Sequence, residues 1–356
     1  MDSVAAPFRP APGHQAHPFS APAPASSKEF EISRSVLIGD TADIFLHRAL
    51  AVLRSENVNP EVAMEFTAEG NGVLCGVTEA RQFLSRVLPE TGREVYALEE
   101  GAHIARGDTA LRIRGPYASF GLYETAVNGI ISSCSGWATA ARECVDAAAG
   151  TPVISFGARH VHPNVAGYMD YAAVVGKCAA GSTPLGGRLS GHNASGSMSH
   201  AMVLLFGDTL RAMMAFDHHM PPEVPRVALV DTFRDEAEEA VEVAKAFKDR
   251  LRGVRVETPE ERGGVTPGLV WEMRARLDQA GFPHVDIYVG GEITPDRIRQ
   301  FVEARAPVAA FAVGRHIAAA SPLGFTAEIK EVGGKAIARR GRIPGTSHDP
   351  RLVRVL

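Results

Sequence analysis

No stretch of the chain reaches the about 18 consecutive apolar residues that a membrane-spanning helix needs, which argues against a membrane protein of that kind. Cysteine is scarce and scattered. Cys75, Cys134, Cys144 and Cys178 form no C-x-x-C pair, which excludes a zinc-ribbon framework and leads us to expect a reduced, cytosolic compartment. Charge of either sign is in little excess, with a formal net of −4, so no general affinity for nucleic acid or an acidic membrane surface is expected. No G-x-G-x-x-G follows a strand-like run, which disfavours a dinucleotide-binding Rossmann domain. Residues 1–29 lack aliphatic periodicity and are rich in Pro, Ala and Ser. They also lack the basic start and apolar stretch of a signal peptide. Such a segment buries too little apolar surface to offset the entropy of ordering it, so a mobile tail is expected, with His14 and His17 incidental.

What is present is an ordinary globular composition, 45% hydrophobic and 22% charged over 356 residues, enough for two domains. Ordered structure is expected from about residue 30. A helix is predicted over 42–56, where Ile44, Leu46, Leu50 and Leu53 share a face. Short strands at 62–67 and 72–77, a helix at 78–87 and glycine-broken β segments at 93–117 describe a small α/β lobe spanning 30–150. Residues 120–148 read as helical with a break at Ser-Ser-Cys-Ser-Gly. Over 151–321 the rhythm changes. Continuous apolar strands at 152–156, 227–230, 254–256, 285–289 and 309–313 alternate with helices at 237–251, 267–280 and 296–304. That pattern indicates parallel strands covered on both sides. Periodicity alone leaves a closed barrel and an open doubly wound sheet unresolved. Beyond 322, two short strands around Gly333-Gly334 read as a β-hairpin that returns to the N-terminal lobe.

Every strand of the second region runs straight into a polar or glycine-bearing turn: Gly157-Ala158-Arg159-His160, Asp231-Thr232, Glu257-Thr258, Gly290-Gly291-Glu292 and Gly314-Arg315-His316. In a βα barrel such turns converge on one face. A lone Asp or Glu in one of them reads equally well as a helix cap, but five turns of this kind suit a site better. Arginines (Arg159, Arg255, Arg315) mixed with carboxylates (Asp231, Glu257, Glu292) suit a sugar phosphate. The glycines of the last two turns let backbone N–H groups approach an anion. Arg255 and Glu257 lie two apart on one strand and face the same side, either toward a ligand or as an internal ion pair.

The local strings around these turns resemble the successive motifs of the nicotinate phosphoribosyltransferase family. They include FGARHVHP (156–163), SGSMSHAM (195–202), FGDT (206–209), PRVALVDTFRDE (225–236) and GVRVETPEERGGVTP (253–267). VDIYVGGEITPDRI (285–298) and FAVGRHIAAASPLGFTAEIKEVGGKAIARRGRIPG (311–345) continue the series, and GDTADIF (39–45) and IRGPYASFGLYETAVNGIISSCSG (113–136) precede it. The resemblance implies an irregular, partly closed TIM-like α/β barrel with an N-terminal α/β lobe. It implies transfer of ribose 5-phosphate from 5-phosphoribosyl 1-pyrophosphate (PRPP) to nicotinate, with Mg²⁺ accompanying PRPP and ATP as co-substrate. A homodimer or larger assembly with shared sites is also implied. Arg159, His200, Asp231, Arg255 and Glu257 take the family's catalytic positions, His200 matching the histidine phosphorylated in ATP-coupled members. Phe156, and Phe45 from a neighbouring subunit, would stack on the acceptor. His160, Ser197, Thr232, Gly290, Gly291, Gly314 and Arg315 would bind substrate.

The chain departs from the family pattern in several places. His160 replaces a second arginine, Ser199 a frequent proline, and Glu257 an aspartate, while Arg315 stands where a small polar residue is common. Residues 178–183 lack an acidic residue often found there. Other readings are therefore carried alongside: a different aromatic nitrogen acceptor, a non-catalytic paralogue that binds the same ligands, and a metal enzyme built on His160, His162, His218 and His219.

Overall fold

The computed structural model describes residues 29–356. The expected tail, with His14 and His17, lies outside the described residues up to position 28. In the N-terminal lobe, α1 (Ile44–Ser55) precedes β1 (Glu61–Ala68), α2 (Val77–Val87), β2 (Glu94–Ala97) and β3 (Thr109–Pro116). The long helix α3 (Glu124–Ala147) then leads into the second region.

The region beyond α3 begins with β4 (Val153–Ser155), α4 (Pro163–Val175), α5 (His200–Phe206) and α6 (Thr209–His219). It continues with β5 (Val227–Leu229), α7 (Glu236–Phe247), β6 (Gly253–Val256), α8 (Pro267–Gln279), β7 (Asp286–Val289), α9 (Pro295–Glu303) and β8 (Ala310–Val313). Local sequence explains where these helices begin. Asp235 caps α7 by accepting from Ala237 and Glu238 N–H, while Thr266 and Thr294 cap α8 and α9, each followed by proline in the first turn.

The five strands form one parallel sheet in the order β4-β8-β7-β6-β5. Among the described residues no ladder joins β5 back to β4, which corrects the expectation of a barrel: the sheet is an open, curved arc. The polypeptide that would close it is glycine-rich and irregular. Ala180 makes an isolated parallel bridge to Ile154, and Ser195 N–H donates to the Gly181 carbonyl at 2.8 Å. These contacts extend the arc beyond β4 without supplying continuous strands. Outward residues such as Ala228, Val254, Val256, Ile287 and Val313 pack under the helices. Ile154, Val227, Tyr288 and Ala310 form a small cluster of their own, with Phe156 packed against it.

The chain then returns to the first lobe. Strand β9 (Phe325–Val332) pairs antiparallel with β1, and Val353–Arg354 pairs with β2, completing a six-stranded sheet. A buried Glu65–Arg112 ion pair at 2.6 Å accepts and donates hydrogen bonds with Ser347, tying the C-terminal segment to this sheet.

Helix α3 has no break at Ser-Ser-Cys-Ser-Gly, contrary to the sequence expectation. The small residues serve packing. Ser135 Oγ accepts from Cys75 N–H at 2.9 Å, and a Cβ on Gly136 would fall 2.4 Å from the Ser321 carbonyl oxygen. Because that obstacle is backbone, Gly136→Ala should destabilise the protein by about 1–3 kcal/mol despite alanine's higher helix propensity. Denaturant unfolding would show it, and an unchanged or raised midpoint would refute the packing argument.

Candidate active site

At the C-terminal ends of the parallel strands, successive contacts join most of the residues singled out from sequence. Asp231 follows β5 and its side chain is shielded from solvent. Its Oδ1 lies 2.9 Å from His200 Nε2, and its Oδ2 accepts from Glu257 N–H at 2.5 Å. One carboxylate thus links the start of α5, the end of β5 and the end of β6. Arg255 and Glu257 do face the same side, with Nε to Oε1 at 3.4 Å, too poorly aligned for Arg255 Nε to count as hydrogen-bonded. Arg255 also donates to the Met198 carbonyl at 3.0 Å, and its guanidinium lies 5.6 Å from the centre of the Phe156 ring.

Glycine is required where strand ends approach one another. A Cβ on Gly290 would fall 2.6 Å from Glu257 Oε1, so the carboxylate occupies the space beside that turn. Gly291 follows with φ of 92°, a conformation natural to glycine. Gly314 is packed against the Phe156 carbonyl oxygen, 3.2 Å from where its Cβ would be, and against the His160 ring. Arg315 leans away to pair with Glu292 at 3.3 Å. These two line a cavity of about 570 Å³ together with Thr139, Glu143, Gly291 and His316.

Several polar atoms on this face are buried without a hydrogen-bond partner: Ser195 Oγ, Ser197 Oγ, Thr232 Oγ1 and Arg255 Nε. Orphaned donors and acceptors gathered at one place are costly unless a ligand satisfies them. Arg159 lies exposed on the turn after β4. Phe45 is set apart, 59% exposed on α1 in the other lobe.

The structure adds two carboxylates that sequence reasoning missed. Asp170, fully buried on α4, accepts from Ser155 Oγ at 2.9 Å and from Ser182 and Thr183 N–H at 2.9 and 2.8 Å. Its bonds to Ser182 and Thr183 set an acid beside the 178–183 segment, which has none of its own, and burial pushes its pKa up against those hydrogen bonds. Its signal was a single acid inside the apolar string VAGYMDYAAVV. Glu236 accepts from Thr258 Oγ1 at 2.8 Å and from Arg262 at 3.2 Å, tying the turns after β5 and β6 together. In sequence it is indistinguishable from an ordinary first-turn glutamate.

The hydrogen bond that His200 donates to Asp231 raises the His200 pKa, with burial opposing it. An imidazolium favoured by folding contributes stability in full below the ordinary histidine value of about 6.5, and loses it as pH rises through the raised folded-state value. His200 ring resonances should therefore titrate above the ordinary range, and Asp231→Asn should bring the midpoint down. A midpoint identical in the two proteins would contradict the coupling. Among the described residues, no three His, Cys, Asp or Glu side chains gather as a metal site.

Comparison with known proteins gives the family and the fold. Residues 43–135 match the family model described as quinolinate phosphoribosyl transferase, N-terminal domain, and residues 137–327 match its C-terminal domain. A nicotinate phosphoribosyltransferase of Mycobacterium tuberculosis is 31% identical over 230 residues, covering 64% of this chain and 48% of that protein. The chain spans about half the length of the curated relatives it matches. The solved nicotinate-nucleotide pyrophosphorylase of Pyrococcus furiosus is 39% identical with a TM-score of 0.82, covering 89% of this chain and 82% of that one. Human nicotinic acid phosphoribosyltransferase shares the fold at 17% identity and a TM-score of 0.67, covering 85% of this chain and 77% of its own. With both of its domains matched in order over residues 43–135 and 137–327, the chain belongs to the quinolinate phosphoribosyl transferase family.

Proposed function

We propose that the protein is a phosphoribosyltransferase that joins PRPP to nicotinate, releasing pyrophosphate, within NAD biosynthesis. The observation that carries this reading is the continuous cluster His200–Asp231–Glu257–Arg255–Phe156, bordered by the glycine turns at 290–291 and 314 and by unpartnered polar atoms. In the reaction the acceptor's ring nitrogen forms a bond to C1 of the ribose while the bond from C1 to pyrophosphate breaks. No side-chain nucleophile is needed, so the protein's contribution is placement and electrostatics. Phe156 supplies a stacking face, Arg159 a cation for an anionic group, and Glu257 an acceptor for ribose hydroxyls. Ser197 and Thr232 present hydroxyls to the substrate, and Gly290, Gly291, Gly314 and Arg315 border the 5-phosphate.

Mg²⁺ fits this site in one way. Among the described residues there is no ready protein cage, so the ion would arrive on the pyrophosphate, where the partly exposed Glu257 carboxylate would hold it with the buried Asp231 adding negative charge behind, as is usual for magnesium on phosphate substrates. It would neutralise charge developing on the leaving group. ATP coupling belongs to the same proposal, because Asp231 fixes His200 through Nε2 and so orients the other ring nitrogen for phosphoryl transfer.

The assembly we infer is a homodimer or larger. On α1, Ile44, Phe45 and Val52 are exposed, and beside His200 and Asp231 so are Leu204, Leu205 and Phe233. Two apolar patches on different lobes suit mutual burial between copies, which would bring Phe45 to the partner's Phe156. A panel of aromatic nitrogen acids assayed with PRPP and Mg²⁺ tests the acceptor. Fastest turnover with nicotinate supports the reading, whereas a preferred pyrimidine or azole acid would replace it.

A further inference from the structure

His160 stands where the family pattern has a second arginine, which would suit the acceptor's carboxylate. The geometry points to a different role, which rests on the phosphoribosyl-transfer reading: we propose that His160 binds the terminal phosphate of the sugar phosphate, not the acceptor. Its ring lies against the last glycine turn. Nε2 and Cδ2 are 3.5 and 3.6 Å from the point a Cβ on Gly314 would occupy. The Phe156 carbonyl oxygen crowds the same point of that turn at 3.2 Å, and Gly157, two residues before Arg159, packs on the Gly314 carbonyl at 3.1 Å from its own Cβ position. The turn after β4 and the turn after β8 are therefore a single packed unit, and the imidazole extends from the first onto the second.

The charges nearby support the assignment. Arg315, the cation that follows Gly314, is 65% exposed at its side chain and already paired with Glu292, which offsets its charge. A phosphate seated on the Gly314 turn would meet the His160 ring directly. Protonated at Nε2, the ring donates a charge-assisted hydrogen bond to a phosphoryl oxygen. Arg159, one residue earlier and exposed, remains for the acceptor carboxylate. The two neighbouring side chains thus divide between the two substrates, a division that two adjacent arginines would not show in sequence.

Ribose 5-phosphate, titrated calorimetrically into the parent protein, His160→Ala and His160→Arg, separates the outcomes, with steady-state kinetics alongside. Loss of the imidazole should weaken ribose 5-phosphate binding and raise the KM for PRPP by about tenfold. The KM for the acceptor should stay within about twofold, and arginine should restore binding as a fixed phosphate ligand. The residue is exposed, so both variants are expected to fold, and their melting curves verify it. Unchanged ribose 5-phosphate binding in His160→Ala, with a raised acceptor KM, would overturn the assignment and leave phosphoribosyl transfer intact. A parent protein that takes up no ribose 5-phosphate would remove both.

Discussion

Asp231→Asn is expected to lower kcat/KM for phosphoribosyl transfer by about 10²–10³-fold while leaving the fold intact. The carboxylate has two acceptor oxygens in use, one toward His200 Nε2 and one toward Glu257 N–H. An amide offers one acceptor oxygen and turns an NH₂ toward the other position, so one link is lost and replaced by opposed donors. If the lost link is Glu257 N–H, the Glu257 carboxylate is released from its place beside Gly290, where only the absence of a Cβ makes room for it. If it is His200, the imidazole loses its anchor and its raised pKa. Either way a Mg²⁺ carried on the leaving pyrophosphate would lose fixed negative charge nearby. Activity within about threefold of the parent, in a variant with an unaltered melting curve, would show that Asp231 is a structural link only.

The second large effect is restoration by mixing. Phe156→Ala and Phe45→Ala should each raise the acceptor KM severely, since each removes one face of a stack. Mixed and allowed to exchange subunits, the two variants should recover about a quarter of parental activity, because half the dimers are hybrids and each hybrid holds one intact site. The structure motivates this through the exposure of Phe45 on α1, away from the strand-end cluster. A mixture no more active than its components would place both rings in the site of a single chain, or remove Phe45 from it.

How legible the molecule was in its sequence varies with the range of the interaction. The alternating spacing of Val254, Arg255, Val256 and Glu257 gave the strand and its two faces, and the 3.4 Å approach of Arg255 to Glu257 follows from that period. Helix starts at 236, 267 and 295 were readable to within a residue from their caps and prolines. The Ser-Ser-Cys-Ser-Gly run misled because small residues are ambiguous in isolation: they weaken a lone helix, yet here they let α3 approach Ser321 and Cys75 closely. Residues 163–219 hold three labelled helices and a fourth at Pro184–Ser190, none of which carried a strong periodic signal. That irregular excursion is also why the sheet stays open, since strand spacing cannot reveal that the polypeptide between β4 and β5 meets β4 through single bonds at Ala179 and Ala180 and forms no continuous strand among the described residues. Residues at the strand ends stand out in the sequence as a group, whereas Asp170 and Glu236 hold neighbouring turns from helices, through tertiary packing alone.

The measurement that bears most directly on the whole account is the paired quantification of pyrophosphate and pyridine mononucleotide from PRPP, Mg²⁺ and nicotinate. The account predicts equal amounts of the two products, formed only when both substrates are present, with Asp231→Asn reducing both alike. Tight binding of PRPP with no pyrophosphate released in the presence of nicotinate or any other aromatic nitrogen acid would contradict it, and would make the protein a binding paralogue of its enzymatic relatives.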